Sequence, residues 1–197
     1  MNSIEKEFSC CAVSNLDSYV VDYTNDKSVN VSKRKVEITH EDPGYEHGAF
    51  HLIDVCGINY YSVNFEHTPA FFTGEKGKKL RSCECMFASC YAKKKKWVLL
   101  LEMKYNKNDD LKGYAKDALD QLEKTKDRLV DKGVLNPDEY RFYFDISFPE
   151  HTSLEPFHSF LFSPDERLAY KEKQQVNLLG YNSVLVANGA YMRPVTV

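Results

Sequence analysis

Glu102-Met103-Lys104 closes an apolar run, Trp97–Leu101, that contains no charged side chain. If the run is a strand, side-chain alternation puts Glu102 and Lys104 on one face. Burying that strand would carry two opposite charges out of water, a costly step unless they are paired or bound to a metal. A second acid lies upstream. Arg81–Tyr91 and Trp97–Tyr105 flank the turn Ala92-Lys93-Lys94-Lys95-Lys96 and read as one hairpin, with the lysines as a solvated tip. An odd loop centred near Lys94 sets Glu84 opposite Glu102 or Lys104, and directly opposed residues share a face. An even loop sets Glu84 opposite Met103, and the cluster dissolves.

Two carboxylates held this close repel unless a hard divalent cation bridges them. Mg2+, or Mn2+ in its place, accepts one or two carboxylates while keeping waters and phosphate oxygens. The ion lowers the pKa of its water and neutralises charge on a phosphodiester, and a neighbouring lysine can orient that water and offset developing charge. The Glu-x-Lys pair alone says little. With 15 Glu and 20 Lys, chance gives about 1.5 such pairs, and the chain holds one. The plainer readings are a solvated strand end or a Glu84–Lys104 cross-strand ion pair.

The elements that must position these groups follow from periodicity. Ser18–Tyr23, Val29–Thr39, Ala49–Cys56 and Ile58–Phe65 are rich in β-branched and aromatic residues, and Asn25-Asp26, Asp42-Pro43-Gly44 and Gly57 separate them as turns. After the hairpin the period lengthens. Leu111, Tyr114, Ala115, Ala118, Leu119, Leu122, Thr125, Leu129 and Val130 define an amphipathic helix, with Asp109 and Asp110 at its start and Gly133 after its end. Tyr140–Phe148 alternates strictly. Ser163-Pro164-Asp165-Glu166 starts a second helix that runs to about Gln175, and Ser183–Ala187 is a late strand. The order predicts a mixed α/β (α+β) domain with a central mixed sheet flanked by helices.

The 197 residues carry 26 Lys+Arg against 29 Asp+Glu, a formal charge of −3. That balance excludes a uniformly basic, histone-like binder but permits a local basic patch. With 43% hydrophobic and 28% charged residues, disordered and collagen-like chains are excluded too. The length predicts one domain, divided as a β-rich elaboration (1–72), a core of hairpin, helix and strand (73–150), and a C-terminal helix and strand (151–197). Six cysteines in a chain this long read as reduced, mostly buried thiols rather than a disulfide framework. The six histidines show no ligand spacing on one element; His47 and His51 would matter only on a helix.

From Cys83-Glu84-Cys85-Met86-Phe87 through the lysine-rich turn to Trp97-Val98-Leu99-Leu100-Leu101-Glu102-Met103-Lys104, the chain resembles the PD-(D/E)XK, restriction-endonuclease-like nucleases. That family places an acid on one strand, a hairpin turn, an apolar strand ending in Glu/Asp-x-Lys, and then a helix. Ala118-Leu119-Asp120-Gln121-Leu122 resembles the following helix of many members, which often carries a glutamine near the site. The resemblance covers about residues 78–148. It implies a nuclease core in which Glu84 and Glu102 hold Mg2+ or Mn2+, Lys104 serves the water, and Gln121 contacts substrate or metal. Three departures stand out: Glu84 replaces the usual Asp, Cys83 replaces the usual Pro before it, and no helix precedes the core strands. Asp54 and Glu75 are weak candidates for an additional acid.

Together these point to a metal-dependent phosphodiesterase acting on nucleic acid, DNA before RNA. The alternative is a non-catalytic nucleic-acid- or protein-binding module on the same fold, using Tyr140–Phe148 and Ala190–Val197 as an apolar partner surface. Lys76, Lys78, Lys79 and Arg81 before the first acid, and Lys104, Lys107, Lys112 and Lys116 after the second, would form a basic rim for phosphates. A homodimer or a larger complex fits either reading. The first twenty residues lack a basic start followed by an apolar run, and no stretch approaches the about 20 apolar residues of a membrane span. A cytoplasmic protein with no membrane partner is expected.

Overall fold

The structure, a computed structural model, describes residues 3–24, 30, 35–45, 48–105, 111–150 and 162–195. The expected Asn25-Asp26 turn, His47, Lys107, Asp109, Asp110, His151 and His158 lie outside the described residues, as does the side chain of Lys112. A short helix α1 (Ser3–Glu7) precedes β1 (Ala12–Ser14), β2 (Ser18–Asp22), β3 (Val36–Thr39), β4 (Phe50–Ile53) and β5 (Tyr60–Asn64). The hairpin strands are β6 (Cys85–Ser89) and β7 (Lys96–Met103). Helix α2 (Leu111–Asp131), β8 (Tyr140–Ser147), helix α3 (Pro164–Gln174), β9 (Val176–Leu179), β10 (Ser183–Asn188) and β11 (Tyr191–Pro194) complete the chain.

These strands make two mixed sheets rather than one. The first has the order β1-β5-β6-β7-β8-β9, with β7, β8 and β9 parallel and the rest antiparallel. The second has the order β11-β10-β4-β2-β3, with only β10 and β4 parallel. One face of the first sheet is covered by α2, whose Ala115, Ala118, Leu122, Thr125 and Leu129 are buried at alternating spacings of three and four. Val98, Leu100, Phe142, Phe144 and Ile146 meet this helix in one core. The opposite face, with Phe87, Trp97, Leu99, Leu101 and Tyr143, packs against Val20, Phe50, Leu52, Val184 and Val186 of the second sheet. The layers are therefore helix, sheet, sheet.

The expected single central sheet flanked by helices is thus corrected on one side, which a second sheet covers. The strands of residues 1–72 are shared between the sheets: β1 and β5 join the first, while β2, β3 and β4 join the second. Short pattern explains what sequence reading missed. β1, β9 and β11 have three or four residues each, too few to display a period. Tyr140–Ser147 is a buried central strand, so it does not form the apolar partner surface expected of it; in the C-terminal segment Met192 is buried while Tyr191, on the edge strand β11, is exposed. Of the cysteines, Cys83 and Cys85 are buried but Cys10 and Cys56 are exposed, and all six are free thiols.

Helix ends obey local rules. Ser163 Oγ accepts from the Glu166 N–H and the Glu166 carboxylate accepts from the Ser163 N–H, a capping box with Pro164 first inside. Helix α2 ends where Gly133, at φ 69°, turns the chain left-handed so that its N–H reaches the Val130 carbonyl. Among the described residues no helix is long and apolar enough to cross a membrane.

Candidate functional site

Strands β6 and β7 pair with Cys85 opposite Leu101 and Ala88 opposite Val98. The loop is odd, and this register carries Glu84 toward Glu102 rather than Met103. Regular pairing stops at Cys85, however. The Glu84 N–H donates to Leu101 O at 3.1 Å, the carbonyl of the residue already opposite Cys85, so the strand entry is bulged. Bulges re-aim side chains beside functional sites. Here Glu84 Oε2 accepts the Met103 N–H at 3.0 Å. Thr125 fixes the approach from α2. Its hydroxyl accepts the Cys83 N–H at 2.8 Å and donates to the Gln121 carbonyl at 2.8 Å.

Glu102 lies on the helix-facing side of β7 and is only 3% exposed. Its Oε1 accepts from Lys104 Nζ at 2.6 Å and from Gln121 Nε2 at 2.7 Å. Its Oε2 is buried and has no hydrogen-bond partner among the described residues. Burial pushes the Glu102 carboxyl up to about 7, against the opposing pull of Lys104 and Gln121. Burial also holds Glu84 well above the usual carboxylate range, helped by the charges of Glu102 and Asp22 and opposed by Lys104 and the Met103 N–H. The four residues singled out from sequence, Glu84, Glu102, Lys104 and Gln121, therefore meet in one place.

That place is a cleft of about 600 Å³ beyond the carboxyl ends of β2 and β7. Asp22, Tyr105, Tyr114 and Asp117 also line it. With Glu66, Asp117 and Glu150 also on the wall beside Glu84 and Glu102, a further acid there is Asp22, the last residue of β2, which was not anticipated. The only signal for it was an Asp ending an apolar strand, which equally suits a turn, and its Oδ1 does accept the Thr24 N–H at 2.7 Å. The earlier candidates sit elsewhere. The Asp54 carboxylate caps the turn after β4 through the N–H groups of Cys56 and Ile58, and Glu75 is exposed. Asp117 links the cleft to its rim, accepting Arg81 at 2.7 Å and Gln121 at 3.4 Å.

The basic rim is partly spent. Arg81 pairs with Asp117 and Asp120, and Lys104 is bound to Glu102. A cavity of about 360 Å³ shares Glu66, Ser82, Glu84 and Gln121 with the cleft and extends to Lys79 and Arg81. Another, of about 530 Å³, continues past Lys78, Lys79 and Lys124. Among the described residues no three His, Cys, Asp or Glu groups converge as a ready metal cage.

Compared with protein-family models, with curated proteins and with solved structures, the chain finds no match. The geometry defines the class: a mixed α+β protein of two packed sheets and few helices, with a buried carboxylate–lysine–glutamine cluster at the floor of a cleft.

Proposed function

We propose that the chain is a metal-dependent phosphodiesterase that hydrolyses nucleic acid, DNA before RNA, on a restriction-endonuclease-like core. The supporting observation is the Glu102 carboxylate, buried at 3% exposure with one oxygen shared by Lys104 and Gln121 and the other unpartnered. A half-satisfied buried carboxylate costs free energy if left alone; Asp145 is a second one within the sheet, and Glu102 differs in lining the cleft beside Lys104 and Gln121. Glu84 and Glu102 are the residues that would hold Mg2+ or Mn2+, which when bound would supply a water of lowered pKa and neutralise phosphodiester charge. Gln121 orients the Glu102 carboxylate toward the cleft. Lys104 carries three donors, of which one binds Glu102. The remaining two serve the attacking water and a phosphate oxygen. Tyr114, 41% exposed at the mouth, offers an aromatic face to a base.

A second reading, a binding module that keeps this fold without the chemistry, draws on the internal pairing of the cluster. Glu84 is occupied by a backbone N–H, and Lys104 by Glu102. One experiment separates the two. Duplex and single-stranded DNA, and an RNA of the same sequence, are incubated with Mg2+ or Mn2+ and wild type, Glu102→Ala or Lys104→Ala. Metal-dependent cleavage by wild type alone supports the enzyme. Absent cleavage, or equal cleavage by both variants, rejects it.

A further inference from the structure

The lysine-rich turn of the β6–β7 hairpin is not simply a solvated tip. Lys95 Nζ donates to the Pro137 carbonyl at 2.9 Å, and Lys96 pairs with Glu139 at 3.8 Å while lying over the Tyr140 ring. Lys95 forms one wall of a cavity of about 350 Å³ whose other walls include Lys126, Arg141, Lys171, Tyr140 and Phe142. Three lysines line this space, Arg141 borders it from β8 with its guanidinium turned to the Tyr191 ring on the other face of the sheet, and among the described residues the lining includes no Asp or Glu. The cations with hydrogen bonds have neutral partners. Lys126 Nζ donates to the Gln174 carbonyl at 3.0 Å and Arg141 to the Ala190 carbonyl at 2.8 Å. Carbonyl oxygens fix the orientation of these side chains but cancel none of their charge.

A second observation points to the same missing partner. Tyr140 is buried, its ring lines the cavity, and its hydroxyl has no hydrogen-bond partner among the described residues. A buried hydroxyl without a partner costs free energy, and gathering like charges adds to the cost. One ligand meets both deficits: an anion with several acceptor oxygens. Carboxylates offer two, whereas a phosphate offers three or four and accepts charge-assisted bonds from Lys and Tyr together.

We propose that this cavity binds a phosphate group, separately from the acidic cleft. The strand register fixes the separation. Tyr140 pairs with Lys96 and Ile146 with Glu102, so the two are six residue steps apart along the parallel strands, about 20 Å at about 3.3 Å per residue. The site is thus independent of any chemistry at Glu102. Its phosphate comes either from a small phosphate ester or from a nucleic-acid backbone, and both present the same group to the same donors.

Thermal unfolding at an ionic strength held constant with sodium chloride tests the assignment. Inorganic phosphate should raise the wild-type midpoint saturably. Lys126→Gln should weaken the apparent affinity roughly tenfold or more, as expected for a lost bond to a charged group. Lys171→Gln alters an exposed position and should weaken it as well, which keeps the test usable if Lys126→Gln fails to fold. Lys6→Gln, exposed on α1 and outside the cavity, should leave the response unchanged. Adenosine 5′-monophosphate and an unphosphorylated single-stranded oligonucleotide then identify the source; competition by either supports the site. A response no larger than the sodium chloride control, or one unaltered in both cavity variants, overturns it.

Discussion

Gln121 Nε2 donates to Glu102 Oε1 at 2.7 Å across the gap between α2 and β7. The same amide reaches Asp117 Oδ2 at 3.4 Å, so both neighbours are acceptors and the amide nitrogen must face them. This contact lowers the Glu102 pKa and sets the direction of its free oxygen. On the proposed reading, replacing Gln121 with Ala should move the acid limb of the pH–rate profile to higher pH and weaken Mn2+ binding about 10- to 100-fold, the usual range for a residue that orients a metal ligand. Glu102→Ala should abolish both. A Gln121→Ala profile that keeps its midpoint would show that the amide only packs.

Metal binding should depend on pH in a defined window. Glu102 titrates at about 7, and Glu84 lies well above the ordinary carboxylate range, both chiefly because of burial. An ion can bind only after these protons leave. Mn2+ affinity should rise with pH through about 7 as Glu102 gives up its proton, and go on rising until Glu84, also held above the ordinary range, is ionised. Titration calorimetry at pH 6, 7 and 8, in buffers of different ionisation heat, measures the affinity and the protons released. Affinity independent of pH would place the ion elsewhere.

The cluster was legible because it is local. Alternation along Trp97–Lys104 fixes which side chains share a face, and one hairpin loop fixes the register that brings Glu84 near. The bulge at Glu84 was not legible, since it depends on a single N–H choosing the Leu101 carbonyl. Asp22 was missed for a different reason. It arrives from a second sheet held against the first by contacts such as Leu52 and Val184 against Leu99 and Trp97, and pairings of that range leave no periodic trace. The parallel match of β10 with β4 joins segments about 130 residues apart. The long elements β7, β8 and α2 declared themselves, whereas the four-residue strands took their identity from neighbours.

Asp145 supplies a prediction about stability. It sits in the middle of β8, fully buried, with Oδ1 accepting the Tyr181 N–H at 3.0 Å and Oδ2 unpartnered among the described residues. Burial pushes its carboxyl up to about 8, against the opposing pull of the Tyr181 and Ile146 N–H groups. The folded state thus holds a proton that the unfolded chain releases near the ordinary Asp value of about 3.9. Stability from this group is fully present below that value and is lost as pH rises through about 8. Glu102 and Glu84 act in the same direction, so the variant comparison is the informative one. Asp145→Asn keeps the acceptor and removes the titration. It should match wild type near pH 4 and exceed it at pH 8 in denaturant unfolding. Parallel pH profiles for the two proteins would refute the assignment.

Gly189 tests the packing of the second sheet onto the hairpin. It lies in the tight turn between β10 and β11, and a Cβ built there would sit 2.1 Å from the Tyr91 carbonyl oxygen. The Gly189 carbonyl accepts from Ser89 Oγ at 2.6 Å and from the Trp97 N–H at 3.3 Å. The turn is therefore pinned from one side while the Tyr91 backbone closes the other. Gly189→Ala cannot be absorbed by a rotamer change, because the obstacle is main chain. Either the turn lifts and loses its bonds, or the Tyr91 loop moves. Overpacking of this kind typically costs about 1–3 kcal/mol, and about 1 kcal/mol lowers the thermal midpoint by roughly 2–4 °C in a protein of this size. Gly133→Ala makes a useful contrast: no atom lies within 4 Å of its would-be Cβ, so its cost comes from the left-handed φ of 69° alone. Gly189→Ala should be the more damaging of the two by scanning calorimetry. The reverse order would mean that the turn yields more readily than its contacts imply.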